Sequence, residues 1–222
     1  MLRQLRYRVV MVLAGWLLAG AALAGPTILV WGDSLSAGYG VDAQARWASL
    51  LERKLKSQAD PALNRWSVVN ASVSGETTAG GLARLPAALA RHQPDVVLIE
   101  LGGNDGLRGL DLKAMRNNLE QMARLAIKAG AAPVIFEMRI PENYGPVMTS
   151  RFQKAFGDVA AAVKAPLVPF FLAPIATDRP RWFQDDGIHP TGEAQPQLLD
   201  AVWPTLLPVL KAPIASRKVA AP

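Results

Sequence analysis

The chain has 222 residues, enough for one sizeable core, and 50% of them are hydrophobic against 19% charged, a balance that excludes a disordered chain. The net charge is +6, but Arg3, Arg6 and Arg8 supply half of it and no basic cluster carries interleaved aromatics, so a nucleic-acid partner is not expected. There is no cysteine, which excludes a disulfide framework, a thiolate nucleophile and a cysteine-based zinc site.

The first elements follow from punctuation and periodicity. Residues 1–24 open with three arginines, run apolar from Val9 to Leu23 and close on Ala22-Leu23-Ala24. This is the pattern of a signal peptide cleaved after Ala24, and the apolar run falls short of the ~20 residues a membrane span needs. The mature domain is expected over 25–211, exported to the periplasm or secreted, with a loose tail over 212–222 and no membrane span after cleavage. Residues 28–31 form an unbroken apolar run, a buried strand, closed by Gly32-Asp33-Ser34-Leu35-Ser36. A helix is expected over 47–56, a strand over 66–70 and a helix over 78–91 that contains Pro86. Residues 95–101 read as a strand ending in Gly102-Gly103-Asn104-Asp105, and 112–128 as an amphipathic helix stopped by Gly130. A strand over 134–138, a helix over 148–163, a strand over 167–171 and an imperfect helix over 192–210 complete the chain. Pro169 puts the fifth strand at a sheet edge. The alternation implies an α/β fold with a mostly parallel sheet and one domain.

Every polar cluster of interest follows the carboxyl end of a strand, the side on which such sheets assemble a site. Ser34 follows a buried strand through a glycine turn. A helix starting there would set the positive end of its dipole behind the serine N–H; the alternative is a serine that merely caps a helix. His189 is one of two histidines, and Asp186 precedes it by three residues in a loop fixed by Gly187 and Pro190. A carboxylate so placed can hold the ring Nδ1–H and leave Nε2 to take a proton from a serine; it could instead close a turn on backbone amides. Asn104 offers a side-chain amide to a developing oxyanion, or else an ordinary turn. Gly75 offers a backbone N–H, or else simply closes its own turn. Asp33, Asp105, Asp186 and His189 could surround a cation, but without a histidine pair at ligand spacing no metal is expected. No phosphate-binding glycine loop follows the first strand, and no cofactor is implied.

Taken together, Gly32-Asp33-Ser34-Leu35-Ser36, Gly75, Gly102-x-Asn104-Asp105 and Asp186-x-x-His189 resemble the four blocks of the GDSL-type esterases, the SGNH hydrolases, in order and separation. Longer strings such as Glu-Leu-Gly-Gly-Asn-Asp-Gly-Leu-Arg-Gly are similar to a bacterial periplasmic subgroup with thioesterase, lysophospholipase and arylesterase activity. The resemblance implies a three-layer, flavodoxin-like sandwich with a five-stranded, mostly parallel sheet and helices on both faces. It implies Ser34 as nucleophile, His189 as base and then acid, Asp186 as its orienter, and an oxyanion hole of Ser34, Gly75 and Asn104. It places substrate contacts in two loops, at Leu107, Arg108 and Leu110 and at Ile140, Pro141 and Tyr144. Glu76 and Glu142 stand beside these blocks as variants that could alter substrate preference. The partner would be a small acyl ester or thioester, and the protein a monomer. A short-chain carbohydrate O-deacetylase of the same family and a binding protein without turnover are the rival readings.

Overall fold

The computed structural model describes residues 25–213, so the expected signal peptide and most of the expected tail lie outside the described residues. In chain order the regular elements are β1 (Thr27–Gly32), α1 (Ser34–Ala37), α2 (Trp47–Lys56), α3 (Pro61–Asn64), β2 (Ser67–Asn70), α4 (Thr78–His92), β3 (Val96–Glu100) and α5 (Gly103–Leu107). There follow α6 (Leu112–Lys128), β4 (Ala132–Phe136), α7 (Pro146–Ala162), β5 (Leu167–Val168), α8 (Arg179–Trp182) and α9 (Gln195–Lys211). The strands pair in parallel in the order β2-β1-β3-β4-β5. Helices α4, α6 and α7 pack on one another and on β1, β3 and β4, whereas α2 and α9 pack together against β2 and β5. This is the expected three-layer, flavodoxin-like arrangement.

The central strands are apolar without alternation because both faces are covered. Residues 28–31 of β1 and all of β3 are buried, and their register sets Gly32 beside Glu100 at the carboxyl edge. On one face Trp47, Phe136 and Phe171 pack with ring centroids 5.4–6.3 Å apart. On the other Phe152 and Phe156 meet edge to face at 5.2 Å. The order of strands reverses between β1 and β3, and a ligand crevice opens at such a point.

Three elements differ from expectation. β5 is two residues long and not five: pairing ends where the Val168 carbonyl accepts from the Glu137 N–H, and Pro169, next in the alternation, faces the open edge of the sheet where its missing N–H breaks no bond. β4 starts two residues earlier than expected and contains Pro133. The N–H groups of Ile135 and Glu137 point at β5, so residue 133 faces the same side, where β5 does not reach; a missing N–H there breaks no bond. The helix after β1 is a single turn, which aligns too few peptide dipoles to act as a strong positive end.

Candidate active site

The turn after β1 is built from its own side chains. Asp33 caps α1, its Oδ1 accepting from the Leu35 N–H at 3.0 Å, and the Ser34 carbonyl accepts from Gly38 and Tyr39. Ser34 is thereby the first residue of α1, half-buried at the carboxyl edge of the sheet. Gly32 is the last residue of β1, not part of the turn. A side chain there would stand 2.5 Å from Glu100 Oε2 and under 3 Å from the Ser36 hydroxyl, so the residue is glycine because two neighbours occupy its space.

The loop after β5 brings His189 across 155 residues of chain to Ser34, with Nε2 2.8 Å from Oγ. His189 Nδ1 lies 2.6 Å from Asp186 Oδ2, while Asp186 Oδ1 accepts from the backbone N–H groups of Ile188 and His189 at 2.8 and 3.0 Å. Both readings of Asp186 are therefore realised: one oxygen orients the ring and the other closes the turn. The hydrogen bond to His189, with the two backbone N–H groups, draws the Asp186 carboxyl down to about 2. An ionised Asp186 keeps the hydrogen on Nδ1, so Nε2 accepts from the Ser34 hydroxyl. The loop is braced from several sides. Phe183 and Pro190 form an antiparallel bridge, the Gln184 side chain donates to the carbonyls of Tyr39 and Pro190, and Arg179 donates to that of Gly187. The Tyr39 ring lies 4.5 Å from the His189 ring.

The oxyanion candidates come from the next two loops. Gly75 sits third in a turn closed by the Glu76 N–H on the Val73 carbonyl, with φ +76, a conformation that favours glycine. That loop is fastened to β1 by the Val73 N–H on the Gly32 carbonyl and by the Gly32 N–H on Ser72 Oγ. Asn104 is the second residue of α5, and its Nδ2 donates to Asp33 Oδ2 at 3.1 Å. Its neighbour Asp105, buried, accepts from the Thr78 N–H and hydroxyl at 2.8 and 2.5 Å and so caps α4. The loops of Gly75 and Asn104 are also joined by Arg108, which donates to the Gly75 carbonyl at 3.0 Å.

Beneath the serine lie two carboxyls that sequence reasoning missed or undervalued. Asp33 is 2% exposed and Glu100 0%. Glu100 Oε2 accepts from the Ser36 hydroxyl at 2.6 Å and, weakly, from the Asp33 N–H at 3.4 Å. Burial pushes Glu100 well above the usual carboxylate range, and the Asp33 charge adds to it. Burial likewise raises Asp33 to about 6, against the pull of the Leu35 N–H, His189 and Asn104. The signal in the sequence was a carboxylate ending an otherwise apolar strand.

Comparison with known proteins decides the family. The profile of the GDSL-like lipase/acylhydrolase family matches residues 30–195. The chain belongs to that family. It is 49% identical over 187 residues to esterase TesA of Pseudomonas aeruginosa, covering 84% of this chain and 90% of that protein. It is 44% identical over 194 residues to thioesterase 1/protease 1/lysophospholipase L1 of Escherichia coli K12, covering 87% and 89%. The crystal structure of the psychrotrophic esterase EstA from Pseudoalteromonas, inhibited by monoethylphosphonate, superposes with a TM-score of 0.78 at 38% identity, covering 84% of this chain and 99% of that one.

The two expected wall loops of this GDSL hydrolase meet in the structure. The Tyr144 hydroxyl donates to the Leu107 carbonyl at 2.9 Å. Leu107 and Leu110 are 42% and 44% exposed, and Arg108, Pro141 and Tyr144 are exposed as well. Ile140 is not an exposed wall residue. It is 6% exposed and belongs to the core, its Cγ2 filling the space where a side chain on Gly106 would stand. Glu76 is held by Arg84, Oε2 accepting from Nε at 2.6 Å, and the Arg84 guanidinium lies over the Trp31 ring at 4.2 Å.

Proposed function

We propose that the chain is a serine esterase and thioesterase that hydrolyses aryl esters, acyl-CoA and lysophospholipids through an acyl-enzyme on Ser34. The hydrogen-bonded series from Ser34 Oγ to His189 Nε2 and from Nδ1 to Asp186 carries this reading. His189 takes the Ser34 proton as Oγ attacks the acyl carbonyl. The tetrahedral oxyanion is held by the N–H groups of Ser34 and Gly75 and by Asn104 Nδ2, and each such donor is worth about 3–4 kcal/mol of barrier. His189 then protonates the departing alkoxide or thiolate, and in the second half activates the water that releases the fatty acid. The names of the relatives, esterase and thioesterase 1/lysophospholipase L1, support this substrate class.

A medium or long acyl chain is favoured by where the apolar surface lies. The exposed large hydrophobic residues among the described ones are Tyr39, Val73, Leu107, Leu110, Tyr144, Val147 and Ile188. Each stands on a segment that follows the carboxyl end of a strand, the end of the sheet at which Ser34 also lies. Leu107, Arg108, Leu110, Pro141 and Tyr144 supply the walls. The test is hydrolysis of p-nitrophenyl esters from acetate to palmitate by the protein and by Ser34→Ala. A rate that peaks beyond butyrate and vanishes in Ser34→Ala is expected. A rate confined to acetate would move the assignment to a deacetylase, and activity unchanged in Ser34→Ala would overturn the nucleophile.

We also propose that residues 1–24 direct export to the periplasm and are removed after Ala24, leaving a monomeric domain over 25–211 and a short tail. The arginine-led, alanine-terminated leader supports this. The mass of protein recovered from a periplasmic fraction tests the cleavage site, and its elution volume tests the monomer.

A further inference from the structure

The ends of β1 and β3 are neighbours in the sheet, and each carries a carboxyl group turned away from solvent. The two oxygens of Asp33 have separate tasks. Oδ1 accepts from the Leu35 N–H and holds α1; Oδ2 accepts from Asn104 Nδ2. The Asp33 backbone is in turn held from below, its N–H donating to the Glu100 carbonyl at 3.2 Å and to Oε2 of the same residue. Asp33 is thus set in place by one strand and by its own turn, and what it sets in place is Asn104.

An asparagine amide has one donating and one accepting end of nearly equal shape, and a half-turn about its last bond exchanges them. An oxyanion hole tolerates only the donating end. With the accepting end inward, the amide would meet a developing negative oxygen with its own oxygen. Nδ2 carries two hydrogens, and Asp33 engages one of them.

We propose that Asp33 is a positioning residue for the hydrolysis: its carboxylate holds one N–H of Asn104 so that the amide cannot turn over, and the second N–H faces the acyl oxygen. The proposal rests on the assignment of Asn104 to the oxyanion hole. It explains why aspartate precedes the serine where the turn alone would accept serine, threonine or asparagine as its cap. Only a carboxylate presents acceptors to the Leu35 N–H and to Asn104 at once. An asparagine at 33 that kept the cap would point its own NH2 at Nδ2 and drive the Asn104 amide over. The ionised acceptor also strengthens the donor it holds, as charge-assisted hydrogen bonds do.

The experiment is steady-state kinetics on one p-nitrophenyl ester with Asp33→Ser, Asp33→Asn, Asn104→Ala and the double variant Asp33→Ser/Asn104→Ala, each checked for native circular dichroism. Asp33→Ser keeps a capping oxygen and is too short to reach Asn104. It is expected to lose about 10–10²-fold in kcat with KM changed less than about twofold, the size expected for a displaced catalytic group. Asp33→Asn, which keeps the size of the side chain, should lose at least as much, so the proposal remains testable if the serine variant folds poorly. Asn104→Ala should lose about 10²–10³-fold, and the double variant should be no slower than Asn104→Ala. Wild-type kcat in Asp33→Ser or Asp33→Asn beside an impaired Asn104→Ala would overturn the proposal alone, as would losses that multiply in the double variant. Full turnover in Asn104→Ala would overturn the oxyanion assignment and the proposal with it.

Discussion

The orientation of His189 rests on one carboxylate, and its replacement tests the proposed relay directly. Asp186→Asn should lower kcat about 10³–10⁴-fold, because an amide no longer selects the tautomer with hydrogen on Nδ1; stopped assays on a single ester measure it. Asp186 is held at about 2 in the fold against an ordinary 3.8, so its contribution to stability is fully present above 3.8 and is lost as the pH falls toward 2. The melting-temperature gap between the protein and Asp186→Asn should accordingly be constant from pH 7 to pH 5 and close toward pH 2. Glu100 behaves in the opposite sense. Its carboxyl is raised in the fold, so the folded state binds more protons than the unfolded one above the ordinary value of 4.5, and stability falls as the pH rises. Glu100→Gln removes that dependence and leaves acceptors for Ser36 and the Asp33 N–H. Its melting temperature relative to the parent should therefore rise between pH 5 and pH 9; a gap independent of pH would show that Glu100 does not titrate as its burial demands.

The proposed walls of the site are loops rather than strands, and the hydrogen bond from Tyr144 to the Leu107 carbonyl joins them. Tyr144→Phe removes one bond worth about 0.5–1.5 kcal/mol, a two- to tenfold effect. KM for a dodecanoyl ester should rise by about that factor while KM for the acetate ester stays unchanged; equal changes for both would separate this bond from chain recognition. Elements were legible in the sequence where one signal dominated. The helix over Leu112–Lys128 has both ends as expected, since its apolar stripe and Gly130 agree. The four blocks that follow strands were legible because polar residues stand out against apolar runs. What was not legible depends on partners distant in sequence. The tolerance of Pro133 follows from how short β5 is, the burial of Ile140 follows from Gly106, and the glycine at 32 answers a carboxylate 68 positions later. The bond of Asp33 to the Leu35 N–H is local, but its second bond, to Asn104, spans 71 residues and leaves no local trace.

At the scale of the molecule, the candidate site residues are spread over the connections that follow all five strands, so the site exists only when the sheet does. The buried Trp31, Trp47 and Trp66 report on that sheet. Urea unfolding followed by tryptophan fluorescence and by ester hydrolysis should give one midpoint, as expected of a single cooperative domain. Activity lost well before fluorescence would mean that the loops open while the sheet holds. The strand that leads into the serine is first in the described chain yet lies inside the sheet, between β2 and β3. The proposed base, His189, arrives 155 residues later. A chain that emerges amino end first therefore exposes the proposed nucleophile long before the proposed base is made. A fragment ending before residue 179 should show no hydrolysis at all. On the proposed mechanism the connectivity works as a timer: the serine stays inert through synthesis and becomes reactive only when the loop after the last strand reaches the turn after the first.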